Sequence, residues 1–155
     1  MKTLLLMRHA HAEDGFAPGA ATDFDRPLSP RGESEADAAG AALAAAGLRP
    51  DVILASAAAR TAATARRVAA KLDAAPPVQL IQNLYGGTPE DHRAALADCG
   101  AASVVLLVAH NPGVADHLEA LAGRPVPCPP ATCGVCDFEA ASWADIREPA
   151  AFRVL

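Results

Sequence analysis

Basic residues are in deficit. Against 18 Asp and Glu the 155-residue chain has 13 Lys and Arg, giving a formal net charge of -5 and a pI near 5.4. Nucleic acids and anionic membranes are gripped by an excess of positive charge that displaces counterions, so this balance argues against both as partners. Any anion site must be a local concentration of arginine. Long apolar runs are also missing: no stretch approaches the roughly 20 residues that span a bilayer. The first residues lack the basic region, apolar core and small-residue cleavage site of a secretion signal, and a cytoplasmic protein is expected.

Cysteine is scarce, with only Cys99, Cys128, Cys133 and Cys136. Cys133-Gly-Val-Cys136 has the spacing of a zinc half-site or redox pair, but no second close Cys or His pair accompanies it. It also falls in an apparently extended segment, where residues three apart face opposite sides of a sheet. The cysteines are read as small hydrophobes, and neither a metal nor another cofactor is expected. With 52% hydrophobic and 20% charged residues, the chain suits one domain over residues 1–155.

What is present is organised around the first nine residues. Leu4-Leu5-Leu6-Met7 is too short for a membrane span and too unbroken for an amphipathic helix, which predicts a central strand covered on both faces. It ends on Arg8, a planar fork of donors for phosphate or carboxylate oxygens, and His9, the side chain suited to be a neutral nucleophile near pH 7. Open parallel sheets bind ligands beyond the carboxyl ends of their strands.

Strands and helices then alternate. Ser29 and Pro30 read as N-cap and first position of an Ala-rich helix that runs to residue 46 and stops at Gly47. Residues 51–55 form a second apolar strand ending at Ser56, and 57–72 a helix with Arg60 at its start. Pro76 and Pro77 precede a strand at 78–81, and Thr88-Pro89-Glu90-Asp91 opens a helix reaching about residue 99. The strongest strand signal, 103–109, ends on His110-Asn111-Pro112-Gly113, with Asn111 expected to cap the next helix. Residues 122–130 read as a loop, 132–138 and 151–155 as further strands, and Trp143 as a packing residue. The fold class is α/β, a three-layer α/β/α arrangement with a mostly parallel central sheet and no large insertion.

Three strand ends thus bring Arg8 and His9, Ser56 with Arg60, and His110 to one sheet edge. Two guanidiniums can hold the nonbridging oxygens of a phosphoryl group, one imidazole can attack phosphorus, and the other can donate to the developing charge. Ser56 lacks the flanking glycines of a hydrolase nucleophile elbow and is read as a cap and phosphate contact. His11, His92 and His117 belong to no motif and are expected on the surface or on helices without a catalytic part.

The chain resembles the histidine phosphatase superfamily, also known as phosphoglycerate mutase-like proteins, and its short SixA-type phosphohistidine phosphatase branch. The resemblance rests on Leu-Leu-Leu-Met-Arg8-His9-Ala, Asp25-Arg26-Pro-Leu-Ser-Pro-Arg-Gly32, Ser56-Ala-Ala-Ala-Arg60-Thr-Ala-Ala-Thr64 and Val-Ala-His110-Asn-Pro-Gly113. It implies that His9 is the phosphorylated nucleophile, that Arg8 and Arg60 bind phosphate, that His110 completes the pocket, and that Arg26 lies near it. The family's Arg-His-Gly triplet reads Arg-His-Ala10 here, and a positive φ at that position would strain alanine.

Larger relatives carry a carboxylic acid after the third strand to protonate an alcohol leaving group. The stretch Asn83-Leu-Tyr-Gly-Gly87 offers none, and Glu90 and Asp91 read better as first-turn helix acids. Imidazole leaves from phosphorus without a strong acid, so the sequence points to phosphohistidine on a protein. The alternatives are a small-molecule phosphomonoesterase and a non-catalytic phosphoprotein-binding module. The oligomeric state is not fixed by the sequence, with a monomer expected.

Overall fold

The computed structural model describes residues 1–15 and 21–155. Its centre is strand β1 (Lys2–Arg8), whose Leu4, Leu5, Leu6 and Met7 are completely buried. The remaining strands are β2 (Val52–Ser56), β3 (Val78–Ile81), β4 (Val104–Ala109), β5 (Cys133–Phe138) and β6 (Ala151–Val154). They form one sheet in the order β3-β2-β4-β1-β5-β6. The first four of these run parallel, β5 is antiparallel to β1, and β6 is antiparallel to β5, so β5 alone opposes the rest.

Alternation of side chains across the pleat divides the core in two. Leu5, Met7, Ile53, Leu106 and Val108 face Leu43 of helix α1 (Pro30–Ala45) and Ala65 and Val68 of α2 (Ala59–Ala70). Leu4, Leu6, Leu54, Val105 and Leu107 face Leu96 of α3 (Pro89–Ala97) and Val114 and Leu118 of α4 (Gly113–Ala122). This is the expected three-layer architecture. Cys136 packs in the second of these clusters and Cys133 in the first, on opposite faces of the sheet. Among the described residues no group of three or more His, Cys, Asp or Glu is placed to hold a metal ion.

The helix starts follow local chemistry. Ser29 Oγ accepts from the Gly32 N–H at 3.0 Å with Pro30 opening α1, and Thr88 and Asp91 form a reciprocal capping box on α3. One expectation is corrected: α4 takes Pro112, not Asn111, as its N-cap. Pro112 already has near-helical angles, φ -80° and ψ -12°, which puts Asn111 outside the turn. From there its Oδ1 accepts from the Ala115 N–H at 3.2 Å. Trp143 is buried as expected, its indole N–H donating to the Ala102 carbonyl at 2.7 Å.

Of the two places expected for the histidines outside any motif, surface or helix, His92 and His117 take the second. His92 of α3 and His117 of α4 are fully buried, with their Nδ1 atoms 3.0 Å apart. Burial pushes His92 down to about 4 and His117 down to about 3. An unfolded histidine titrates near 6.5, so below that pH the unfolded chain binds protons that the folded chain refuses. Stability is therefore full above about pH 6.5 and falls as pH drops toward 4, by about 1.4 kcal/mol per pH unit for each such histidine. Thermal melts from about pH 7.5 to about pH 5 are expected to show a steadily falling Tm. A Tm constant over that range would contradict the burial of these rings.

Candidate active site

Because β2, β4 and β1 are adjacent and parallel, their C-terminal ends meet at one edge of the sheet. Register pairs Arg8 with Ala109, and the His9 N–H donates to the Ala109 carbonyl at 3.0 Å. His9 and His110 thus leave neighbouring strands side by side, their ring centroids 5.3 Å apart and tilted by 58°. Arg60 arrives from the first turn of α2. The turn before it is tied by Thr61 Oγ1, which donates to the Ser56 carbonyl at 2.7 Å.

His9 is only 8% exposed. Its Nδ1 lies 2.7 Å from the Ala10 carbonyl oxygen, which can only accept, so Nδ1 bears the proton and Nε2 carries the free lone pair. Burial above all, aided by the Arg60, Arg8 and Arg26 charges and opposed by the Ala10 hydrogen bond, lowers the His9 pKa to about 4. At neutral pH the ring is uncharged. Ala10 has no positive φ, so the alanine in the triplet is unstrained, and its N–H donates to Thr64 Oγ1 of α2 at 3.0 Å. The loop beyond it is held close to α1, where a Cβ at Gly32 would collide with the His11 carbonyl.

Arg8, His9, His11, Arg26, Arg60 and His110 line a cavity of about 320 Å³, together with Ala12, Asn111 and Pro130. Among the described residues no carboxylate is in this lining. Arg8 Nη1 donates to the Cys128 carbonyl at 3.0 Å, which braces one guanidinium. Among the described residues Arg8 Nε, Arg60 Nε and His110 Nδ1 are buried with no hydrogen-bond partner. Three guanidiniums, of Arg8, Arg26 and Arg60, in one lining suit the oxygens of a phosphoryl group.

The structure brings Arg8, His9, Arg26, Arg60 and His110 together at one cavity. It adds His11, expected on the surface or on a helix and belonging to no motif, whose Nδ1 sits 2.6 Å from Ser29 Oγ. Ser56 is placed differently from expectation. It is fully buried outside the cavity lining, with Oγ 2.8 Å from His110 Nε2, because Ala55 pairs with Val108 and so brings the end of β2 next to the end of β4. Glu90 pairs with Arg93 at 2.8 Å, and Asp91 Oδ2 accepts from the Thr88 N–H at 2.7 Å, so neither acid reaches the cavity.

Two participants escaped sequence reading. Arg60 donates from Nη1 to the Asp23 carbonyl at 2.8 Å and from Nη2 to its carboxylate at 3.1 Å. The same carboxylate accepts from Arg26 Nε at 2.9 Å and from the Tyr85 hydroxyl at 2.6 Å. The Tyr85 hydrogen bond, with Arg60 and Arg26 adding to it, holds the Asp23 pKa at about 2, so this acid stays ionised. Tyr85 stands edge-on to His110, 5.5 Å between centroids, and edge-on to Phe24 at 5.1 Å. The available signals were slight: an acid three residues before Arg26, and the chain's single tyrosine.

Comparison with known proteins gives the family. The profile of the Histidine phosphatase superfamily (branch 1) matches residues 4–85, which hold Arg8, His9, Arg26, Arg60 and Tyr85. A protein put forward as the phosphohistidine phosphatase SixA of Agrobacterium tumefaciens is 30% identical and superposes with a TM-score of 0.77, over 88% of this chain and 91% of that one. A counterpart from Nakamurella multipartitia is 29% identical, with a TM-score of 0.80 over 98% of this chain and 95% of its own. An uncharacterized chloroplastic protein of Arabidopsis thaliana is 26% identical over 93% of this chain and 70% of its own length. With that profile matched over more than half of its length, the chain belongs to the histidine phosphatase superfamily.

Proposed function

We propose that this protein is a phosphohistidine phosphatase, removing the phosphoryl group from a histidine of a signalling or phosphotransfer protein through a covalent phospho-His9 intermediate. His9 Nε2 attacks phosphorus while Nδ1–H remains bonded to the Ala10 carbonyl, which stabilises the charge that the ring gains. Arg8 and Arg60 hold the nonbridging oxygens and His110 donates to them. The phosphorus–nitrogen bond to the substrate breaks, and a substrate ring protonated at its other nitrogen leaves as neutral imidazole. Water then cleaves phospho-His9, releasing inorganic phosphate and restoring the nucleophile.

The observation that carries this reading is the combination of a pinned, neutral His9 with two guanidiniums in a cavity whose lining has no carboxyl group. An alkoxide leaving group would call for a protonated acid at the cavity, whereas the nearby Asp23 is held ionised. Arg26 is assigned a secondary phosphate contact from its place in the lining. The sheet draws strands from both ends of the sequence, which supports treating residues 1–155 as one domain. Four free cysteines fit the reducing cytoplasm, and among the described residues no helix is long and apolar enough to cross a membrane.

The test is a ranking of substrates by phosphate release. A phosphohistidine protein is expected to turn over well ahead of sugar phosphates, with Glu90→Gln and Asp91→Asn leaving its hydrolysis unchanged. Faster release from sugar phosphates would favour a small-molecule phosphomonoesterase. Phosphoprotein binding without turnover would favour a non-catalytic module.

A further inference from the structure

The Asp23 side chain is 52% exposed, beside a cavity whose Arg26 and Arg60 it holds. We propose that the Asp23 carboxylate binds the substrate ring, accepting a hydrogen bond from the nitrogen that does not carry phosphorus and so holding the leaving imidazole in its protonated form. The inference rests on a phosphorylated imidazole being the substrate.

Three contacts place the carboxylate. Arg26 Nε donates to Oδ1 at 2.9 Å and Arg60 Nη2 donates to Oδ2 at 3.1 Å, so on two sides it lies one guanidinium away from the cavity. The Tyr85 hydroxyl donates to Oδ2 at 2.6 Å, and the Tyr85 ring stands against His110, another lining residue. A carboxylate has about four acceptor positions, and the described residues fill one on Oδ1 and two on Oδ2, which leaves Oδ1 able to accept again. The other acid of this turn, Asp25, is engaged by Thr22, whose hydroxyl donates to it at 2.8 Å. Phe24 and Tyr85, both half-buried, add aromatic surface beside the carboxylate against which a planar ring can pack.

Phosphoryl transfer runs in line, so with His9 attacking from within the cavity the substrate ring departs on the far side, toward the mouth. A guanidinium and an imidazole have similar spans. Arg60, reaching from phosphoryl oxygens to Asp23, bridges a gap comparable to that of a ring bonded to phosphorus at one nitrogen and to Asp23 at the other. The bond from His9 Nε2 to phosphorus forms, the phosphorus–nitrogen bond breaks, and its electron pair stays on the departing nitrogen. With a proton on the other nitrogen the product is neutral imidazole; without it the group would have to leave as an imidazolide anion. Held at about 2, chiefly by the Tyr85 hydrogen bond, Asp23 stays ionised and favours that proton on the ring.

The test compares three small phosphoryl donors: phosphorylimidazole, whose protonated ring has an N–H; its counterpart methylated at that nitrogen; and nitrophenyl phosphate, which has no ring nitrogen. Whatever Asp23 does through Arg26 and Arg60 falls on all three alike, so ratios of kcat/KM isolate the ring contact. Asp23→Asn is expected to lower kcat/KM for phosphorylimidazole by roughly 10- to 100-fold relative to nitrophenyl phosphate, as loss of a charge-assisted hydrogen bond would. For the methylated donor the relative loss should stay within about fivefold, since only an exposed charge attraction disappears. Equal losses on phosphorylimidazole and nitrophenyl phosphate would make Asp23 a support for the arginines alone and overturn the proposal, as would no loss on either. The wild-type protein decides the matter even if the variant fails to fold: acceleration over spontaneous hydrolysis should be larger for phosphorylimidazole than for its methylated counterpart, and equal accelerations would overturn the proposal. All three donors are small, so failure to act on a phosphohistidine protein would sink the protein-substrate reading and leave this result standing.

Discussion

Replacing His9 with alanine is expected to lower turnover by at least about four orders of magnitude, because the covalent route disappears with the nucleophile. The fold should survive. His9 follows the last residue of β1, and its backbone N–H bond to Ala109 does not depend on the side chain. Binding of inorganic phosphate should persist through Arg8, Arg60 and His110, which separates loss of chemistry from loss of the site. Circular dichroism, phosphate binding and phosphate release measured together check this. A variant retaining more than about a tenth of wild-type turnover would place the nucleophile elsewhere.

Arg8→Ala and Arg60→Ala are each expected to cost on the order of 2 to 4 kcal/mol of transition-state stabilisation, roughly 30- to 1,000-fold in kcat/KM. Each removes a charge-assisted donor from a partly dry cavity, and Arg60 is only 6% exposed. The two should differ in detail. Arg8 is braced by one carbonyl, that of Cys128, whereas Arg60 also holds Asp23 by its backbone and its carboxylate, so its loss should loosen the Asp23–Tyr85 contact beside His110. Lysine should restore only part of either loss, since a point charge lacks the planar fork. Steady-state kinetics of the four variants check this, and near wild-type values for the alanine variants would remove the arginines from the phosphate site.

The elements that position His9 and His110 were legible because they depend on local pattern. Leu4 to Met7 and the strand before His110 are unbroken apolar runs, buried on both faces as such runs must be. Ser29-Pro30 and Thr88-Pro89 carry their caps in adjacent residues. Contacts made across long stretches of chain left no such trace. Ser56 reaches His110 across 54 positions and Tyr85 reaches Asp23 across 62, so a side chain's partner was invisible even where its identity was suggestive. His92 and His117 lie on helices, one of the two places expected, but their burial against each other was not legible, since the contact joins positions 25 apart. Asn111 was misassigned because the rule that puts Asn at a cap does not foresee a following proline taking the position itself.

The central claim is that phosphate passes through His9. Its most direct test is a rapid quench of the protein mixed with a phosphohistidine protein carrying labelled phosphate, followed by intact mass and peptide mapping of the phosphatase chain. The account predicts one labelled phosphate on His9, stable to base, labile to acid and missing in His9→Ala. Label recovered on another residue, or retained in His9→Ala, would contradict it.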